Sequence, residues 1–200
     1  GLIWIIKKRL IRRMSLIFPS GCLQNEIIKK AGFKGTVKYT YGVGFPTREN
    51  CRLVDKIKDA TFPRYLYVGR VVPEKNLEFL IEEFNRNGKS LTIVGDGVLY
   101  TKCRSMANEN ILFTGYIDNN KLSEIYRSHD VFILPSKSEA WGLVVGEALW
   151  AGLPVIVSSN VGCYEDLVTK TGAGIVFETE NSVSFNSALE RVDKNFKQYR

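Results

Sequence analysis

The sequence predicts an α/β protein with a parallel β-sheet covered by helices on both faces. The main observation is that short apolar segments alternate with amphipathic segments from Tyr65 to Val192. The second is composition, because 44% hydrophobic and 24% charged residues are typical of a soluble globular protein. The third is length, since 200 residues suffice for one full domain and part of another.

The predicted strands are short runs rich in β-branched and aromatic residues. They cover Tyr65–Val68, Leu91–Val94, Ile111–Phe113, Val131–Leu134, Val155–Val157 and Gly174–Phe177. The predicted helices between them cover Leu77–Phe84, Leu122–Arg127, Leu143–Ala151 and Val183–Val192. Strands that alternate with helices run parallel, so their carboxyl ends should share one edge of the sheet.

The first quarter of the chain is organised differently. Ser15–Pro19 and Thr36–Tyr41 are predicted as strands on either side of a helix at Gln24–Ala31. Gly42, Gly44, Pro46 and Thr47 then open a polar segment that is typical of a linker. We therefore expect one structural part over residues 1–47 and a complete α/β domain over residues 48–200.

The net charge of +7 is concentrated at the amino terminus. The chain up to Arg52 has 11 Lys and Arg against 2 acidic residues, whereas the remainder has 17 against 19. The first five basic residues alternate with apolar ones and predict a basic amphipathic helix, which suits an anionic membrane surface or, equally, a solvated face. These five are Lys7, Lys8, Arg9, Arg12 and Arg13. Nucleic-acid binding is disfavoured because no aromatic platform accompanies them.

Other function classes are also disfavoured. No apolar segment reaches the roughly 20 residues of a membrane-spanning helix, and Leu2–Ile6 is too short for a signal peptide. The cysteines form no C-x-x-C pair, and the single His129 cannot complete a zinc site with them. The cysteines are Cys22, Cys51, Cys103 and Cys163. We expect reduced thiols in the cytoplasm and a structural His129 at a helix end.

Glu147 is the only formally charged residue between Ala140 and Gly162. A carboxylate in so apolar a segment is costly unless a specific group pairs with it. A second carboxylate, Glu139, lies eight residues upstream in the preceding loop. Helical side chains lean toward the helix N-terminus, so Glu147 should point back toward that loop. The two acids predict a site for a polyhydroxylated, anionic ligand.

The loops after the predicted strands should converge on the same edge of the sheet. Gly69 and Arg70 follow the first of these strands, Gly95 follows the second and Tyr116 the third, while Lys75 precedes a helix. A guanidinium and an ammonium group suit a diphosphate, although solvated charges would give the same pattern. Gly95 indicates a turn, and Tyr116 is expected to pack rather than to bind.

The start of the helix predicted at Leu143–Ala151 also suits a phosphate. Its first backbone N–H groups are free, and Gly142 before it has no side chain to hinder the approach of a ligand. Val144, Ala148 and Ala151 are expected to form the core face of this helix.

Five sequence segments occur in a fixed order from Arg64 to Val192. They are VGRVVPEKN, LTIVGDG, ILFTGYI, DVFILPSKSEAWGLVVGEALWAGLPVI and TGAGIVF. In this order they resemble the donor domain of the group 1 retaining glycosyltransferases, whose GT-B architecture combines two Rossmann-like domains. Glu139 and Glu147 match the E-x7-E signature of that family. The resemblance implies transfer of a sugar from a nucleotide-diphosphate sugar, with retention of configuration and without a metal or other cofactor.

The resemblance also implies roles for individual residues. Glu139 would contact the donor sugar, Glu147 the ribose, and Arg70 with Lys75 the diphosphate, so that Glu139, Arg70 and Lys75 form the catalytic set. The remaining residues implied in donor binding are Trp141, Gly142, Leu143, Tyr116, Gly95 and Gly69.

The partners implied are a UDP- or GDP-sugar and a glycan or lipid-linked acceptor, with a peripheral contact to the inner face of an anionic membrane. Residues 1–47 would be the end of the acceptor domain and the start of the linker. The family's Asn-Gly-Val-Asp reads Tyr41-Gly42-Val43-Gly44 here, which leaves the role of that motif open. Turnover is expected to need the complete acceptor domain.

The alternative functions are a membrane-surface module and a non-catalytic nucleotide-binding domain. An NAD-type Rossmann enzyme is disfavoured because no G-x-G-x-x-G follows the first strand.

Overall fold

The computed structural model describes residues 1–40 and 62–196 of the chain. By its internal packing the chain divides into two compact units, Gly1–Pro46 and Thr47–Arg200. None of the helices within the described ranges is long and apolar enough to span a lipid bilayer.

The first unit contains two helices and two short parallel strands. They are helix α1 at Leu2–Ile11, strand β1 at Leu16–Ile17, helix α2 at Cys22–Ala31 and strand β2 at Thr36–Val37. The predicted strands are longer than these, yet the backbone pairing continues as far as a 2.9 Å hydrogen bond from Thr40 N–H to the Pro19 carbonyl. Tyr41 and the predicted linker lie outside the described residues.

The second unit is built on a six-stranded sheet. Its strands are β3 at Tyr65–Val68, β4 at Leu91–Val94, β5 at Ile111–Gly115, β6 at Val131–Leu134, β7 at Val155–Ser158 and β8 at Gly174–Phe177. The spatial order is β5-β4-β3-β6-β7-β8, and all neighbours are parallel. The predicted parallel sheet is therefore confirmed. Successive strands move outward in opposite directions from the β3–β6 pair, which leaves a crevice at the carboxyl ends beside it.

Helices flank this sheet. They are α3 at Leu77–Asn87, α4 at Tyr100–Met106, α5 at Asn119–Arg127, α6 at Leu143–Trp150 and α7 at Ser182–Phe196, with a 3-10 turn at Pro73–Lys75 and a π-helix at Tyr164–Thr169. Helix α4 and the π-helix were not predicted from the sequence. Helix α4 is only seven residues long and buries a single residue, Cys103, so it has no readable apolar period.

The central strands form the core of the second unit. Every residue of β3, β6 and β7 is buried, as expected for parallel strands that are covered on two faces. Phe84 of α3 packs against Tyr65 of β3 and Phe185 of α7, with ring-centroid distances of 5.3 and 6.4 Å. Helices α3 and α7 therefore pack together against β3.

The core face of α6 differs from the prediction. The structure buries Val145 and Ala148, whereas Val144 and Ala151 are only half-buried. The reason is that LVVGEALW is apolar on almost every side, so its pattern does not reveal which side faces the core. Val144 is thereby free to line the site described below.

Candidate functional site

A cavity of about 290 Å³ lies at the carboxyl edge of the sheet. Its walls come from the ends of β3 and β4, the loop that follows β5, the first half of α5 and helix α6. Open parallel sheets bind ligands at this edge, beside the point where the strand order reverses.

Five of the ten predicted site residues line the cavity. They are Gly69, Arg70, Gly95, Tyr116 and Glu147. The expectation that Tyr116 packs into the protein is wrong, because its side chain is 71% exposed. Tyr116 follows β5, which is an edge strand of the sheet.

Seven other lining residues were not predicted as site residues. They are Val68, Val94, Asp96, Ile117, Asn119, Leu122 and Val144. The position of Asp96 inside the Gly95–Gly97 turn was a usable signal for it. Leu122 and Val144 could not be found from the sequence, because an apolar residue that lines a cavity looks like one that fills a core.

Two glycines bring the ends of β3 and β4 unusually close together. Gly69 and Gly95 have φ angles of +155° and +133°. A Cβ atom on Gly95 would lie 1.9 Å from the Gly69 carbonyl oxygen, so no side chain fits there. The glycines therefore do more than turn the chain, since they allow the two strand ends to form one cavity wall.

The carboxylate of Glu147 has a specific partner. The hydroxyl of Tyr126, on α5, donates a 2.9 Å hydrogen bond to Glu147 Oε2. Burial, together with the charge of Glu147, raises the pKa of Tyr126 far above its usual range, so the phenol stays protonated and donates. Tyr126 was not identified from the sequence, because nothing local connects it with a residue 21 positions away.

Lys75 and Glu139 are paired with each other. The Lys75 ammonium donates to Glu139 Oε2, and the two side chains are only 15% and 18% exposed. Both lie outside the cavity lining. The two side chains form a mostly buried ion pair. The ammonium group of Lys75 suits a charged ligand, and the carboxylate of Glu139 suits a hydroxylated one.

A network of backbone contacts holds this ion pair in place. The Glu74 carbonyl accepts a 2.8 Å hydrogen bond from Lys137 N–H, which joins the 3-10 turn to the loop before α6. Asn76 has a left-handed φ of 58°, is buried, and donates from Nδ2 to the Pro135 carbonyl at 3.2 Å. Asn76 thus helps to position the turn that carries Lys75, and it was not identified from the sequence.

Tyr67 connects the ion pair with the cavity. It is fully buried at the end of β3, and its hydroxyl donates a 2.8 Å hydrogen bond to the Arg70 carbonyl. Burial raises the pKa of Tyr67 above its usual range, the charge of Glu139 adds to this, and the charge of Arg70 opposes it. Tyr67 therefore lies within electrostatic range of both Glu139 and Arg70.

The start of α6 was predicted to approach a phosphate through Trp141, Gly142 and Leu143. Gly142 caps the helix with a left-handed φ of +95°, and a Cβ there would meet Val161 Cγ1 at 3.0 Å. The Trp141 side chain is buried, whereas that of Leu143 is half exposed. None of the three lines the cavity. Glycine is therefore required at position 142 by backbone conformation and packing, a reason that does not involve a ligand.

His129 is a structural residue, as predicted. Its Nδ1 lies 2.7 Å from the Ile125 carbonyl, which can only accept, so Nδ1 carries the proton and Nε2 accepts from Thr92 Oγ1 at 2.9 Å.

Cys103 and Cys163 are buried thiols, whereas Cys51 lies outside the described residues. Within residues 1–40 and 62–196, no group of three His, Cys, Asp or Glu side chains could hold a metal ion. Metal independence stays a prediction.

The comparisons with known proteins agree with this fold. The family model "Glycosyl transferases group 1" matches residues 54–200. An uncharacterized glycosyltransferase of Methanocaldococcus jannaschii is 32% identical over 145 residues, which are 67% of this chain and 37% of that protein. A GDP-mannose-dependent alpha-mannosyltransferase of Mycolicibacterium smegmatis is 35% identical over 114 residues, which are 57% of this chain and 30% of that protein.

A solved structure has the same fold. The Anabaena protein Alr3699/HepE, crystallised with UDP-glucose, superposes with a TM-score of 0.71 at 16% identity, over 97% of this chain and 58% of that one. The chain thus spans about a third of the two sequence relatives and somewhat over half of the structural one. The chain belongs to the group 1 glycosyltransferases of GT-B architecture.

Proposed function

We propose that this chain binds a UDP- or GDP-linked sugar in the cavity at the carboxyl edge of the sheet and takes part in the retaining transfer of that sugar. The observation that carries the proposal is that a cation, Arg70, and an oriented carboxylate, Glu147, line one cavity. A guanidinium suits a diphosphate, and a carboxylate suits a pair of ribose hydroxyls. The proposal needs no metal and no other cofactor.

The other predicted residues complete this assignment. Lys75 stabilises the diphosphate with Arg70, Glu139 binds hydroxyls of the donor sugar, and Tyr116 lies beside the base. Backbone groups of Gly142 and Leu143 assist at the start of α6. The class of donor is supported by the Anabaena protein, whose structure holds UDP-glucose, and by the mycobacterial relative, which depends on GDP-mannose.

The proposed chemistry needs no nucleophile and base from the protein. The bond between the sugar and the diphosphate breaks while the acceptor hydroxyl attacks on the same face, and the departing phosphate oxygen takes the hydroxyl proton. Negative charge therefore grows on the diphosphate, where Arg70 and Lys75 stabilise it electrostatically. The acceptor is a glycan or a lipid-linked sugar at the cytoplasmic side of a membrane.

Turnover, in this proposal, needs a complete acceptor domain that closes over the donor. The 200-residue chain is expected to bind nucleotide but to transfer little sugar. Substantial turnover of a UDP- or GDP-sugar by this chain alone would contradict this part of the proposal.

The first test is calorimetric titration with UDP, GDP and ADP in the presence of EDTA. We expect one nucleotide to bind saturably, and Glu147→Gln to weaken it at least tenfold, or about 1.4 kcal/mol. Glu109→Gln is the matched control, because Glu109 is exposed and precedes β5 at the opposite edge of the sheet. Equal affinities of the wild type and the Glu147 variant would overturn the assignment of the cavity.

The exposed apolar surface of α1 supports an accessory membrane contact. Leu2, Ile3 and Ile5 are more than half exposed, and the basic residues Lys7 and Arg9 follow them on the same helix. We expect the protein to sediment with vesicles of phosphatidylcholine and phosphatidylglycerol and not with phosphatidylcholine alone. Replacing the five basic residues of positions 7–13 by Gln should abolish this binding, and binding that persists would refute the electrostatic contribution.

A further inference from the structure

We propose that Tyr126 is a positioning residue for the ribose of the donor nucleotide, acting through the carboxylate of Glu147. This inference rests on the proposed function, because it concerns the same cavity. It identifies the residue that orients the Glu147 carboxylate, which the E-x7-E pattern by itself does not show.

The hydroxyl of Tyr126 is held rigidly. The side chain is 3% exposed, and its ring packs against Phe132 of β6, with a centroid distance of 5.9 Å and an interplanar angle of 56°. Phe132 is itself fully buried in the central part of the sheet. A ring fixed in this way delivers its hydroxyl to one point in space, which is 2.9 Å from Glu147 Oε2.

The hydrogen bond from Tyr126 leaves acceptor positions open on the Glu147 carboxylate. An ionised carboxylate has about four lone-pair positions, and a phenol hydroxyl occupies one of them. Among the residues that the structure describes, Tyr126 is the one hydrogen-bond donor to this carboxylate. Glu147 lines the cavity, so its remaining acceptor positions are available to two ligand hydroxyls.

Fixing the carboxylate beforehand favours ligand binding. A Glu side chain that rotates freely must lose that freedom when a vicinal diol binds, whereas one held by Tyr126 has already lost it. A nucleotide with a ribose diol should therefore gain affinity from Tyr126. A 2′,3′-dideoxy nucleotide should gain none, because it offers no hydroxyl to the carboxylate.

The experiment measures the affinity ratio between a nucleoside diphosphate and its 2′,3′-dideoxy counterpart, with UDP and GDP as the two probes. We expect the wild type to favour the ribose form, and Tyr126→Phe to reduce that preference by about tenfold. Glu147→Gln should reduce it similarly, and the double variant no further, because the two residues act as one unit.

Tyr65→Phe is the matched control for loss of a buried phenol. The Tyr65 hydroxyl donates a 2.6 Å hydrogen bond to Asp193, also a carboxylate, and Tyr65 lies at the amino end of β3, away from the cavity. This variant should lose stability, measured by thermal unfolding, and keep the wild-type affinity ratio. A purely structural role of Tyr126 would make the two Tyr variants behave alike.

The outcomes separate the two proposals. If Glu147→Gln lowers the ratio and Tyr126→Phe does not, Tyr126 is only a packing residue and the inference is overturned, while the proposed function stands. If Glu147→Gln leaves the ratio of a nucleotide-binding wild type unchanged, the ribose role of Glu147 fails, and the role of Tyr126 fails with it. A wild type that binds neither probe would overturn both.

Discussion

Replacing Gly95 by alanine should damage both the stability and the binding site of the second unit. Gly95 has a φ of +133°, which an L-residue adopts only with strain, and its missing Cβ would lie 1.9 Å from the Gly69 carbonyl oxygen. Ordinary contacts begin at about 3.4 Å, so the ends of β3 and β4 would have to separate by roughly 1.5 Å. Two backbone hydrogen bonds join those ends, from Gly69 N–H to Val94 at 3.0 Å and from Val71 N–H to Asp96 at 2.9 Å.

The expected cost follows from these contacts. Stretching either hydrogen bond by that amount breaks it, at about 1 kcal/mol each. Backbone strain adds roughly 1–2 kcal/mol. The total of about 3–4 kcal/mol should lower the melting temperature by roughly 10 °C in a chain of this size.

Thermal unfolding and nucleotide titration measure the two effects. The matched control is Gly88→Ala, because Gly88 also has a positive φ of +68° but has nothing within 4 Å of its Cβ position. This control should lose only about 1 kcal/mol and keep its nucleotide affinity. Our explanation would be refuted if the two variants were equally stable and bound nucleotide equally well.

Three further predictions concern the structural residue His129 and the residues that form or position the Lys75–Glu139 pair. Burial lowers the pKa of His129 below its usual 6.5, so the unfolded state binds a proton at a higher pH than the folded state does. The contribution of neutral His129 to the free energy of unfolding should therefore be fully present above pH 6.5 and be lost as the pH falls below it. His129→Gln, which removes the only histidine, should flatten that slope in thermal melts at pH 5.5 to 7.5, and an unchanged slope would assign it to other groups. In a double-mutant cycle of urea unfolding, Lys75→Met and Glu139→Gln should show a coupling free energy of about 1–2 kcal/mol, because the two side chains form a mostly buried ion pair. Additive losses of stability would contradict this. Asn76→Gly should cost about 1 kcal/mol for the lost hydrogen bond to Pro135, and Asn76→Ala more, because alanine resists the left-handed backbone; equal losses in the same unfolding assay would exclude a contribution from φ.

Much of the fold could be predicted because its signals are local. A run such as Val131–Leu134 is apolar and β-branched enough to indicate a buried parallel strand, and the alternation with helices implies the parallel sheet. Helix α4 and the core face of α6 could not be predicted in this way. The first is too short to show a period, and the second is apolar on almost every side.

The same division holds for the candidate site. Glu147 could be identified from the sequence alone, because a lone charge in an apolar segment must have a partner or a ligand. Which partner it has was decided only by tertiary structure, since packing brings Tyr126 of α5 to within 2.9 Å of α6. The pairing of Lys75 with Glu139, 64 residues apart, was likewise decided only by the folded chain. Sequence determines which groups are present and which strand or helix carries them, whereas distances between elements depend on how side chains far apart in the chain fill the space between them.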